Sequence, residues 1–183
     1  MTALIEDAPF AGTTHPLGVA LLRPLRSDDA LELGRYCAGI DPYRRLGQSE
    51  AGLVTYLTRE DPCLFRFAIE LRGALVGLVA VRSPWLRGPF LEMLALKEEA
   101  RGQGIAARSI DWVAAQSAKV ASNLWTTVSD FNVTARAFYK RQGFQTVSEL
   151  PELITRDASE ILLRRKLAVA QRPPAVRPTS GVL

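Results

Sequence analysis

The order in which apolar periodicities succeed one another predicts a mixed α/β (α+β) domain. The sheet is expected to be mostly antiparallel, with six to seven strands and helices on both faces, in the order βααβββαβαββ. Three observations carry this. Residues 63–71 (CLFRFAIEL) and 74–82 (ALVGLVAVR) are β-branched and aromatic runs separated only by Arg72 and Gly73, which is hairpin spacing and makes them antiparallel neighbours. Beyond residue 97 the pattern turns to strand–helix alternation, which needs crossover connections and so some parallel pairing. A chain of 183 residues, 48% hydrophobic with charges of both signs, buries one substantial core but is short for two domains.

Taken in order, residues 19–25 (VALLRPL) form a short strand closed by Pro24. Ser27, followed by two aspartates, is a suitable N-cap for a helix over 28–39. A second helix covers 48–59, where Leu53, Val54 and Leu57 share one side between Gly47 and the Asp61-Pro62 pair. The hairpin of 63–71 and 74–82 follows, then a third run, 89–97 (PFLEMLALK). A helix over 103–118 carries Ala106, Ile110, Val113 and Ala114 on a common face. Residues 123–129 (NLWTTVS) are a strand, 132–142 a helix, and 144–150 with 159–167 a closing pair of strands. Residues 1–17 and the Pro-rich stretch 168–183 lack a repeating apolar face and read as flexible segments flanking a single domain, 18–167.

Composition excludes several classes of function. Lys and Arg exceed Asp and Glu by only 23 to 19, and part of that surplus lies near the C-terminus, so no basic patch interleaved with aromatics marks a nucleic-acid binder. Cys37 and Cys63 have no CxxC partner and His15 is the sole histidine, so no metal site is expected. No stretch of about 18 residues runs without charge and no leader pattern precedes the domain. The expected compartment is therefore the cytoplasm, with no membrane partner.

The most informative piece is residues 89–110, a strand that enters the glycine-spaced turn RGQGIA (residues 101–106) and passes directly into a helix. Gly102 and Gly104 can adopt backbone angles that expose successive N–H groups, and the first helical turn leaves more of them without intrahelical acceptors. The helix dipole, Arg101 and Arg108 add positive charge, so the matching ligand is a diphosphate. The same residues also read GxGxxA (Gly102, Gly104, Ala107), the dinucleotide fingerprint, with Asp130 near the place of a ribose-binding acid. Against that, about 100 residues precede the turn and only two strand–helix units follow it, too few for a doubly wound sheet. No Lys-Ser or Lys-Thr pair follows, which excludes a P-loop.

Residues 132–144 (NVTARAFYKRQGF) separate these readings. Ala135, Phe138 and Tyr139 lie at i, i+3 and i+4 on one helical face, and Gly143 ends the helix before Phe144 opens a strand. Here the chain resembles the GNAT superfamily of N-acetyltransferases on two motifs. Arg101, Gly104 and Ala106 meet the first; Asn132, Ala135, Phe138, Tyr139, Gly143 and Phe144 meet the second.

The resemblance implies an N-acetyltransferase that uses acetyl-CoA as co-substrate, without metal, acting on a primary amine, in the first place that of a small molecule. A homodimer is a further expectation. The resemblance also implies an opening between strands 89–97 and 123–129, with pantetheine along Leu94, Ala95 and Leu96. The pyrophosphate would rest on Arg101, Gly102, Gln103, Gly104, Ile105, Ala106 and Ala107, and Asn132, Phe138 and Tyr139 would complete the cofactor side. Tyr139 is the candidate acid for the departing thiolate. Glu92, the sole acid in its strand and by alternation on the face of Phe90 and Leu94, is the candidate base. For the acceptor, residues 41–48 (DPYRRLGQ) with Tyr43, Arg44 and Arg45, and residues 83–89 (SPWLRGP) with Trp85 and Arg87, are candidate lips.

Overall fold

The computed structural model describes residues 9–10 and 12–168. Eight strands form one sheet in the order β1-β2-β3-β4-β5-β6-β8-β7. The strands are β1 (His15–Leu17), β2 (Ala20–Pro24), β3 (Leu64–Leu71), β4 (Ala74–Trp85), β5 (Gly88–Leu96), β6 (Asn123–Ser129), β7 (Gln145–Pro151) and β8 (Ser159–Lys166). The helices are α1 (Ser27–Gly39), α2 (Glu50–Thr58), α3 (Ile105–Ala118) and α4 (Val133–Arg141). All neighbours pair antiparallel except β5 and β6.

The predicted element order holds, with one addition. Strand β1 lies within residues 1–17, expected to be flexible, and pairs with β2. Its segment is tied down by aromatics: Phe10 is buried against Phe65 and Trp112, and the His15 ring lies 4.8 Å from that of Trp112. These contacts bring together residues far apart in sequence, which local periodicity cannot register. Residues 1–8 and nearly all of the expected tail at 168–183 fall outside the described residues.

Each sheet face has its own core. One gathers Ile105, Ile110, Val113 and Ala114 of α3 and Tyr139 of α4 onto Phe67, Ile69, Val79, Val81 and Leu91. The other gathers Ala30, Leu33 and Cys37 of α1 and Leu53 and Leu57 of α2 onto Leu78, Ala80, Met93 and Ala95. Ile105 rather than Ala106 leads the buried stripe of α3. Helices α1 and α2 approach closely at Gly34, where an added Cβ would sit 2.6 Å from the Val54 methyl.

Helix starts depart in one detail from expectation. Ser27 is the first residue of α1 rather than its cap; the Asp29 carboxylate instead accepts the Arg26 N–H at 2.7 Å. The same carboxylate takes two hydrogen bonds from Arg23, at 2.5 and 2.9 Å, and so pins α1 to β2. Ser49 caps α2 through the Gly52 N–H, and Asn132 caps α4 through the Ala135 N–H.

Candidate functional site

The site is a gap in the sheet. Strands β5 and β6 run parallel and pair only at Phe90↔Trp125 and Leu91↔Thr126, after which they part. Thr126 Oγ1 donates to the Leu91 carbonyl at 2.9 Å, the last tie before the opening. A bulge lies at the same point: Ala80 faces Met93 and Val81 faces Leu91, which leaves Glu92 as the extra residue.

This bulge reverses the parity of β5. Leu91 belongs to the α3/α4 core and Met93, two residues on, to the α1/α2 core. Leu94 and Leu96 return to the α3/α4 side. The expected alternation, which put Glu92 on the face of Leu94, therefore fails at the inserted residue. Glu92 turns toward α2, where its Oε2 accepts the Tyr56 hydroxyl at 2.6 Å and its Oε1 accepts Arg82 Nε. Arg82 also donates to Asp61 at 3.0 Å.

On the α3 side the gap widens into a groove of about 640 Å³. Its floor is the turn after β5, where Gly102 and Gly104 have φ of +74° and +75°. No atom lies within 4 Å of the position a Gly102 Cβ would take, so the peptide surface there is open. The first intrahelical bond of α3 is Arg108 N–H to the Gly104 carbonyl, at 3.1 Å, which leaves the amides of Ile105, Ala106 and Ala107 without helical acceptors. Buried Ile105 anchors this turn in the core. Open left-handed glycines, a helix start and a nearby guanidinium suit a diphosphate. Arg101 lines the groove and is held by bonds to the Leu96 carbonyl and the Tyr36 hydroxyl, at 3.2 and 3.3 Å. Gln103 turns its amide back to the Glu99 carbonyl, at 3.0 Å.

Helix α4 forms the opposite wall, with Asn132, Ala135, Phe138 and Tyr139 facing the groove. Gly143, at φ +80°, follows the C-cap as expected. Tyr139 packs against Phe138 and edge-on to Phe144. Burial pushes its phenol up to about 12, while the Thr126 hydroxyl offsets part of that effect.

A second cavity, of about 290 Å³, adjoins the first through a shared wall. Leu94, Leu96, Arg101, Asn132, Ala135 and Tyr139 line both. Asp41 also borders both, and the rest of its lining includes Tyr43, Leu46, Ala95, Glu92, Ser129 and Glu160. Of the expected loop 41–48, Asp41, Pro42, Tyr43 and Leu46 reach it, but neither arginine does. Exposed Arg44 pairs with Asp41 at 3.2 Å, and Arg45 stacks 3.9 Å over Phe131. The second expected lip lies elsewhere: Trp85 packs on Phe90 and Trp125, and with Arg87 it borders a different cavity beside Val120 and Ser122. Asp41, Ser129 and Glu160 are cavity residues that the sequence alone did not single out. Glu160 is the sole acid in the apolar run of its strand, the same signal that drew attention to Glu92.

Among the described residues no group of His, Cys, Asp and Glu is placed to hold a metal ion, and no helix is long and apolar enough to cross a membrane. No curated protein matches the chain significantly. Residues 17–144 match the family described as Acetyltransferase (GNAT) family.

Solved structures give the same fold. An acetyltransferase from Thermus thermophilus is 22% identical with a TM-score of 0.66, covering 84% of this chain and 100% of that one. The ribosomal-protein-S18-alanine N-acetyltransferase from Escherichia coli is 15% identical, TM-score 0.64, over 86% and 99%. A putative streptothricin acetyltransferase from Bacillus anthracis, solved with acetyl coenzyme A, is 17% identical, TM-score 0.53, over 59% and 66%.

Proposed function

Because the chain belongs to the acetyltransferase (GNAT) family, we propose that it moves the acetyl group of acetyl-CoA to a primary amine of a small molecule, by direct attack in a ternary complex. The observation that carries this reading is the shared wall. One groove has the peptide surface for a diphosphate, the adjoining cavity has room for a compact acceptor, and the two meet at Leu94, Asn132 and Tyr139. A thioester laid along Leu94, Ala95 and Leu96 would present its carbonyl where both substrates have access.

Acyl transfer needs an amine freed of its proton, a stabilised oxyanion and a leaving thiolate that finds a hydrogen-bond donor. Beyond Leu91 the β5 N–H groups that point away from β4, that of Leu94 first, have no β6 partner and can serve the oxyanion. Tyr139, kept protonated by burial, serves the sulfur. Glu92 holds the cavity wall through Arg82 and Tyr56, and a base role for it requires that ion pair to give way.

Two neighbours mark the range of acceptors: one is named for an alanine of ribosomal protein S18 and one for streptothricin. The volume of about 290 Å³, at the low end for ligand sites, favours a small amine. The test is acetyl-CoA binding by calorimetry followed by thiol release with small amines and an N-terminal peptide. Binding without thiol release on any acceptor would leave a non-catalytic CoA-binding module; peptide turnover alone would shift the acceptor class.

A further inference from the structure

We propose that Glu160 is the proton acceptor for the incoming amine, and that the cavity it lines selects acceptors carrying a positive charge. The proposal rests on the acetyl-transfer reading above and deepens it at the acceptor side.

Glu160 lies on β8 opposite Ser129 of β6, on the side of the sheet where the gap opens. It is only 4% exposed, and what it meets is polar but uncharged: the Ser129 hydroxyl donates to its Oε1, with Thr127 beside it. Among the described residues no Lys or Arg pairs with it, whereas the other strongly buried acid is so paired: Asp29 is held by Arg23. A buried carboxylate without a cation is costly, because desolvation disfavours its charge and nothing local returns it. An ammonium brought into the cavity would supply the missing partner.

The charges around it point the same way. From the turn after α1 comes Asp41, matched by Arg44, from β5 comes Glu92, matched by Arg82, and beyond the end of β6 lies Asp130. Tyr43 and Tyr139 face the cavity as neutral phenols, both pushed upward by burial. Arg101 is the single cation of the lining and stands on the diphosphate side. Of the lining acids, Glu160 alone has no cation paired with it among the described residues.

Burial and Asp130 raise Glu160 above its ordinary carboxylate value, with the burial contribution the larger and the Ser129 hydroxyl opposing it. A base of raised pKa holds a proton taken from an ammonium better than an exposed carboxylate would. In the step itself Glu160 takes one proton from the ammonium, and the freed nitrogen bonds to the thioester carbon. The carbon–sulfur bond then breaks, and the second surplus proton on nitrogen leaves with sulfur as the thiol. Glu160 returns its proton to solvent, so one proton is released per amide formed.

The test uses the full chain with n-butylamine, glycinamide and spermidine as acceptors. For the wild type, kcat/KM should be flat between the Glu160 limb and the pKa of the amine. In Glu160→Gln it should fall by about 100-fold at pH 7 and recover about tenfold per pH unit up to the pKa of the amine, as free amine replaces the base, with acetyl-CoA affinity unchanged. Ser129→Ala is the second variant: it removes a bond that favours the charged carboxylate, so the acid limb should move to higher pH. A wild-type profile in Glu160→Gln, or an unmoved limb in Ser129→Ala, overturns the assignment while leaving acetyl transfer standing. Absence of wild-type turnover with all three amines overturns the parent reading and this one with it.

Discussion

Replacing Tyr139 with Phe removes one oxygen and keeps the ring that packs against Phe138 and Phe144. The structure sets the size of the effect. A phenol at about 12 cannot give its proton outright to a thiolate whose thiol titrates near 8.5, because the transfer is uphill by several pKa units. Its contribution is therefore a hydrogen bond to developing negative charge on sulfur, with the proton itself coming from nitrogen. Such a bond to a charged group is worth about 1.5–3 kcal/mol, so kcat should fall by about 10- to 150-fold. The loss should be the same from pH 6 to 9, since the phenol does not titrate in that range, and acetyl-CoA affinity should stay within about twofold. Thiol release followed continuously at saturating amine, with calorimetric titration of acetyl-CoA, measures both quantities. An unchanged kcat, or a loss confined to acetyl-CoA affinity, would refute the assignment of Tyr139 to the sulfur.

Three further outcomes are expected. Gly104→Val forces a β-branched residue into φ +75° and plants methyl groups on the open peptide surface; the cost in stability is about 1–3 kcal/mol, and acetyl-CoA binding should be lost in a chain that still folds by circular dichroism. Glu92→Gln removes the charge that Arg82 and Tyr56 share, so thermal unfolding should drop by several degrees while the acid limb of kcat/KM survives; a vanished limb would return the base to Glu92. Asp29→Ala removes one of the two carboxylates that hold buried Arg23, the other being Glu70 at 2.6 Å, and should destabilise by about 1.5–3 kcal/mol in denaturant titration. Arg23 holds the Asp29 carboxyl below its unfolded value, so this stabilisation is complete above about pH 4 and is lost as pH falls through the lower folded value. A wild-type acid-unfolding curve in Asp29→Asn would count against that account.

What could be read from the chain was whatever is local. The turn at Gly102 and Gly104, the Tyr139 face of α4 and the Gly143 stop each follow from the spacing of a few neighbours. Features that depend on two distant segments could not be read this way. Strand β1 exists because Phe10 and His15 find Phe65, Phe67 and Trp112. The bulge at Glu92 exists because β4 and β5 differ by one residue in register, which no periodicity within β5 announces. Glu160 reached the cavity through the β6–β8 pairing, and Arg44 and Arg45 missed it through contacts with Asp41 and Phe131.

The two register pairs that join β5 to β6 make the sheet, mechanically, two plates on a narrow seam: five strands on one side and three on the other. A thioester arm lying along β5 would act as a partial ninth strand and stitch the plates together beyond Leu91. The amides of Leu94 and Leu96, which face the gap while Met93 and Ala95 bond to β4, should then exchange with solvent far more slowly in the liganded protein than in the free one, while those of β3, deep inside the larger plate, should not notice the difference.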